Sequence, residues 1–64
     1  MSLAKNIKDY RKKTGLSQQA LAVKSKISIS TIYKLEQEVL KNPALDTLLV
    51  LSKVLNVSID TLVK

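Results

Sequence analysis

The sequence contains no cysteine and no histidine. There is therefore no disulfide framework, no thiolate metal site and no imidazole to serve as metal ligand or general base. Tryptophan and phenylalanine are absent too, and glycine and proline occur once each, so little interrupts regular secondary structure. No unbroken apolar run is longer than Leu48–Leu51, which falls far short of the roughly 20 residues that span a bilayer. The chain turns polar by Lys5 and Asn6, without the apolar stretch of a signal peptide. No low-complexity tract or repeat is visible. These absences predict a soluble protein of a reducing compartment, the cytoplasm, with no metal, cofactor, small-molecule substrate or membrane partner.

What remains is basic and compactly apolar. At 64 residues and 45% hydrophobic content, the chain can build one modest core and no second domain. Eleven Lys and Arg against five Asp and Glu leave a net charge of +6. That balance points to an anionic partner, nucleic acid first and an acidic protein or membrane surface second. Catalysis is not expected, since four of the five carboxylates read as surface or capping groups and no acid–base pair assembles.

Apolar residues recur at intervals of three and four, the period of amphipathic helices, so the fold class is all-α. Leu3, Ile7 and Tyr10 share a face about 60° wide, with Lys5, Lys8 and Lys12 opposite, which predicts a first helix over 3–13. The lysines read as a solvated surface, or as long-range electrostatic help, and Tyr10 as packing. Gly15 stops that helix. Ser17 caps a second over 18–24, with Leu21 and Ala22 inward, and Ser28 caps a third over 29–38, with Ile32, Leu35, Glu36 and Val39 inward. The alternation Ile27–Ile32 also suits a strand, but nothing else in the chain can pair with it. Asn42–Pro43 lead into a fourth helix over 44–55, apolar around much of its circumference and so expected at the centre. Ser58 starts a fifth over 59–63.

Two short helices joined by a turn of about three or four residues, the second bearing small polar and basic residues outside, match a helix-turn-helix. The blocks Ile7–Ala22 (with Arg11, Gly15, Ser17 and Gln18) and Ile27–Glu36 (with Ser28, Ser30, Thr31 and Lys34) resemble the phage-repressor/Cro-like, Xre-type DNA-binding domains. Asn42–Leu48 and Leu51–Leu62 are similar to that family's fourth and fifth helices, so the likeness covers nearly the whole chain. The resemblance implies a compact five-helix, lambda-repressor-like domain whose third helix enters the major groove of double-stranded DNA.

On that placement the base-reading candidates are Ile29, Ser30, Thr31, Tyr33, Lys34 and Gln37, and the phosphate-contact candidates are Ser17, Gln18, Ser28, Lys41 and Asn42. Ser30 and Thr31 also read as plain helix-start residues, Gln18 as a helix-surface residue, and Tyr33 as edge packing. Arg11 and Glu36 stand where the family carries opposite charges linking the first helix to the third, and are expected as a structural ion pair rather than DNA contacts. The family usually has glycine before the third helix and near its end, where this chain has Lys26 and Glu38. Lys26 is therefore expected at positive φ, and Glu38 to oppose DNA binding.

Ile59, Leu62 and Val63 are candidates for a homodimer interface, with Val39 and Leu40 as further apolar surplus. The expected function is a sequence-specific transcriptional regulator, a repressor of bacterial or mobile-element type on an inverted-repeat operator. The alternative is a protein-interaction module on the same fold, an antitoxin or partner-controlled regulator with a regulatory protein partner.

Overall fold

Serine opens most of the helices. In the computed structural model, which describes residues 2–64, these are α1 (Leu3–Lys13), α2 (Gln18–Ser25), α3 (Ile29–Glu36), α4 (Leu45–Leu55) and α5 (Ile59–Val63), with no strand among the described residues. Ser2, Ser17, Ser28 and Ser58 each accept a hydrogen bond from the backbone N–H three residues on, satisfying a donor that the helix leaves free. The same short pattern, Ser-Ile-x-Thr, opens α3 and α5, and in both the Thr hydroxyl joins the cap at 2.9 Å. α4 begins at Ala44 with no side-chain cap; Asp46 supplies negative charge in its first turn instead.

Three helices end in one device built from three different residues. Gly15, Glu38 and Asn56 take positive φ, and the N–H of the apolar residue after each (Leu16, Val39, Val57) reaches back to the carbonyl of Arg11, Lys34 or Ser52. This is the Schellman closure, in which a left-handed residue lets the chain turn back over its own last turn. Lys26 ends α2 in the left-handed region at φ 60°. There the Ile27 N–H is taken by Ser25 Oγ at 3.2 Å, and the turn to α3 spans only Lys26, Ile27 and Ser28.

The core joins all five helices through Ile7, Leu21, Ala22, Ile32, Leu35, Leu51, Leu55 and Leu62. α1 packs on α3, α4 and α5, while α2 packs on α3 and α4. Asn6 sits among these apolar side chains and donates from Nδ2 to the carbonyls of Leu62 at 2.9 Å and Lys64 at 3.3 Å, tying α1 to the end of α5. On the solvated side of α1, Lys5 donates to Asp9 at 2.7 Å, and that bond holds the Asp9 carboxyl below its ordinary pKa. Both groups are solvated, so the pair adds little stability.

Several expectations are corrected. α3 stops at Glu36, not 38, because Glu38 adopts the left-handed conformation; Val39 is thereby carried off the inner face and is 68% exposed. Leu40 does pack against the core. α2 runs one residue further than expected, to Ser25, and α4 starts at Leu45. α4 is not central on all sides either, since Leu45 and Leu49 stand on a solvent-facing stripe. Leu62, a candidate for the dimer interface, is wholly enclosed in the core, so it has no surface left for a second copy.

A non-glycine residue in the left-handed region carries about 1–2 kcal/mol of steric cost, while glycine adds about 0.5–1 kcal/mol of unfolded-state entropy. Lys26→Gly should therefore stabilise the domain by about 0.5–1 kcal/mol, the difference between those two effects. Urea denaturation followed by circular dichroism would register it as a higher midpoint at unchanged slope. A lower midpoint would mean that the Lys26 side chain contributes more than its backbone costs.

Candidate nucleic-acid interface

A three-residue turn brings the first turn of α3 close behind the end of α2, so α3 presents one whole side to solvent. Ile32, Leu35 and Glu36 form its inward side. At about 100° per residue, Ile29, Tyr33, Gln37, Ser30 and Lys34 then follow one another around the outside, and all are exposed. Thr31 is only partly exposed and its hydroxyl is joined to Ser28 Oγ, which itself caps the helix. Both hydroxyls thus have a local structural task, whereas Ser30 stands fully on the outer face.

The position of α3 is set from behind by Glu36. Its carboxylate accepts from Arg11 Nε at 2.6 Å and Nη2 at 3.0 Å, a two-point clasp between α1 and α3. Arg11 Nη1 also donates to the Leu16 carbonyl at 2.9 Å, binding the α1–α2 turn into the same arrangement. The hydrogen bond to Glu36 raises the Arg11 pKa against the opposing effect of burial. Gln18, expected at phosphate, donates instead to Glu36 Oε1 at 3.1 Å, so its amide serves to fasten the start of α2 to α3. Arg11, Gln18 and Glu36 therefore lock three helices in one relative orientation.

Charge around the exposed side is positive. Lys24 and Lys26 precede α3, Lys34 lies on it, and Lys41 follows it, all exposed; Glu36 is neutralised by Arg11, leaving Glu38 as the exposed carboxylate of this stretch. Ser17 caps α2 and is exposed, with the helix N–H groups of that first turn beside it. Asn42 is exposed in the loop after α3. The residues that sequence reasoning missed are Asn6 and the positioning role of Gln18. Asn6 was detectable in principle, as a polar residue on the apolar face of α1 beside Leu3 and Ile7.

A five-helix bundle with a short-turned helix pair, the second helix solvent-facing and rimmed by lysines, is the architecture of a helix-turn-helix DNA-binding domain. The chain belongs to the helix-turn-helix family HTH_3, whose model matches residues 7–62. Among solved structures it is similar to the master regulator for biofilm formation SinR in complex with DNA, at 37% identity and TM-score 0.91, covering 94% of this chain and 95% of that one. The N-terminal DNA-binding domain of SinR from Bacillus subtilis matches with the same identity and TM-score over 87% of its length. A chain of the SinR protein/SinI protein complex does so over 58%. No curated protein matches the sequence significantly. The fold and the family are those of DNA-binding transcriptional regulators. No helix among the described residues is long and apolar enough to cross a membrane.

Proposed function

We propose that this protein is a sequence-specific, double-stranded DNA-binding regulator, a repressor that acts by occupying an inverted-repeat operator as a homodimer. The observation that carries the reading is the outer side of α3, where Ser30, Lys34 and Gln37 stand exposed between flanking lysines. A major groove about 12 Å wide admits one such helix. Lys34 donates to guanine O6 or N7, Ser30 and Gln37 bond to base edges, and Thr31 supports them from the helix start. Ser17, the amide groups at the start of α2, Lys41 and Asn42 hold phosphates, with Gln18 and Ser28 contributing through the turns they fasten. Val63 is exposed and Ile59 partly so, and the two meet a second copy, which sets two half-sites about one helical turn apart. The solved structure of SinR with DNA supports this reading, as does the net charge of +6.

The test is selection from a randomised duplex pool, with affinities measured by fluorescence anisotropy at about 50 and 200 mM salt. An enriched inverted repeat is expected, its affinity falling by about 10³ over that range for some six phosphate contacts. Lys34→Ala should weaken the selected site by about 1–3 kcal/mol and random DNA much less. Equal losses on both would reduce Lys34 to a phosphate contact.

A second reading, control by a protein partner, is favoured by the apolar surface of Val39 and Leu45, 68% and 63% exposed. The SinR–SinI complex gives it support by likeness. A partner whose footprint covers Val39, with no salt-sensitive duplex binding, would replace the first reading by this one.

A further inference from the structure

The outward face of α3 is not uniformly polar. Ser30, Lys34 and Gln37 make one strip, while Ile29 and Tyr33, one turn apart and about 40° from each other around the axis, make an apolar flank beside it. Ile29 is 47% exposed and Tyr33 53%, whereas the other large apolar residues of the same helix, Ile32 and Leu35, are sealed in the core. The fold does not need the pair: packing leaves about half of each side chain in water.

A duplex offers such a surface one apolar feature in the major groove, the C5-methyl group of thymine; the remaining base edges and the backbone are hydrogen-bonding or charged. The polar strip has no Arg or Asn, the planar side chains best suited to two-point recognition of guanine and adenine, which leaves only Lys34 and Gln37 for it. We infer that Ile29 and Tyr33 read pyrimidine 5-methyl groups, so that the preferred site is specified largely by the positions of its thymines. The inference rests on the DNA-binding reading and adds to it the chemical feature recognised. Lysines on both sides of the helix draw the duplex in without regard to sequence, and the apolar pair then discriminates by what it covers.

Deoxyuridine in place of thymidine removes the methyl group and keeps base pairing and the O4 acceptor. Each thymine of the selected duplex is replaced in turn and binding measured by anisotropy. At the positions facing Ile29 and Tyr33, affinity should fall about fourfold per methyl, the equivalent of one buried methylene. Ile29→Ala and Tyr33→Ser, both at exposed positions and checked for folding by circular dichroism, should each bind more weakly and lose the preference for thymine over uracil at one position. Uracil tolerated at every position, or a preference that survives both substitutions, overturns the inference while leaving DNA binding intact. Absence of binding to any duplex at low salt overturns both and leaves the apolar pair as a contact for protein.

Discussion

Arg11→Met alone should leave the domain barely stable at room temperature, whereas Arg11→Met combined with Glu36→Met should fold nearly as well as the parent. Glu36 is 4% exposed, and Arg11 supplies both of its charged donors. Without the guanidinium, a carboxylate stays behind in the packed interior with Gln18 as its one side-chain donor. Breaking one side of a buried pair costs about 3–5 kcal/mol. A domain of this size has a total stability of only about 5 kcal/mol, so the single substitution removes most of it. Replacing both partners by apolar groups of similar volume removes the buried charge together with its counterion, and is often neutral or stabilising. Urea titration of the four proteins, parent, two singles and double, isolates the pair's coupling. Singles that lose less than about 1 kcal/mol would show the clasp to be surface-like. The double variant also separates stability from orientation: if it folds yet binds the selected duplex poorly, the clasp serves to hold α3 at the right angle.

The second large effect falls on Leu62. Truncation to alanine opens a cavity where α1, α4 and α5 meet, and such buried leucines cost about 2–5 kcal/mol on truncation. The neighbouring Val63 is 46% exposed, and Val63→Ser should change monomer stability by less than about 0.5 kcal/mol. The two substitutions thus split the fifth helix into a core side and an outer side. Thermal unfolding should shift for Leu62→Ala whatever the protein concentration, while any effect of Val63→Ser should grow with the fraction of dimer. A Leu62→Ala protein with parental stability would contradict the enclosed position of that side chain.

Much of this architecture was legible because its signals are local. Ser17, Ser28 and Ser58 announce helix starts through a side chain that bonds within its own first turn, and Gly15 announces a stop. Apolar spacing of three and four within each helix placed Ile7, Leu21, Ile32, Leu35, Leu51 and Leu55 in the core. The end of α3 was not legible, because the left-handed residue there is Glu38, whose side chain carries no sign of that conformation. Val39 was misplaced with it, since a Schellman turn reverses the chain one residue before the apolar periodicity would have it reverse. Leu45 and Leu49 were drawn inward by composition, although it is Leu48, Leu51, Ser52, Val54 and Leu55 that α4 turns inward. Leu62 was assigned outward because a short final helix offers too few residues to establish a face. Gln18 illustrates the remaining difficulty: at the start of α2 it suits a phosphate or a carboxylate equally, and only the approach of Glu36 in space decides which one it meets.

The bond from Asn6 to the end of α5 bears on how the domain comes apart. A helix of five residues has no independent stability, since nucleation alone outweighs what so short a ladder returns. α5 therefore exists only while α1 and α4 are there to dock on, and α1 in turn holds α3 through Arg11. Closing the Leu62 contact joins residues 56 positions apart, a loop that encloses almost the whole chain. The opening of that loop and the loss of α3 are consequently one event. Amide hydrogens of α3 and α5 should exchange with a common free energy close to that of global unfolding, so that the outer side of α3 is either presented whole or lost with the rest of the fold.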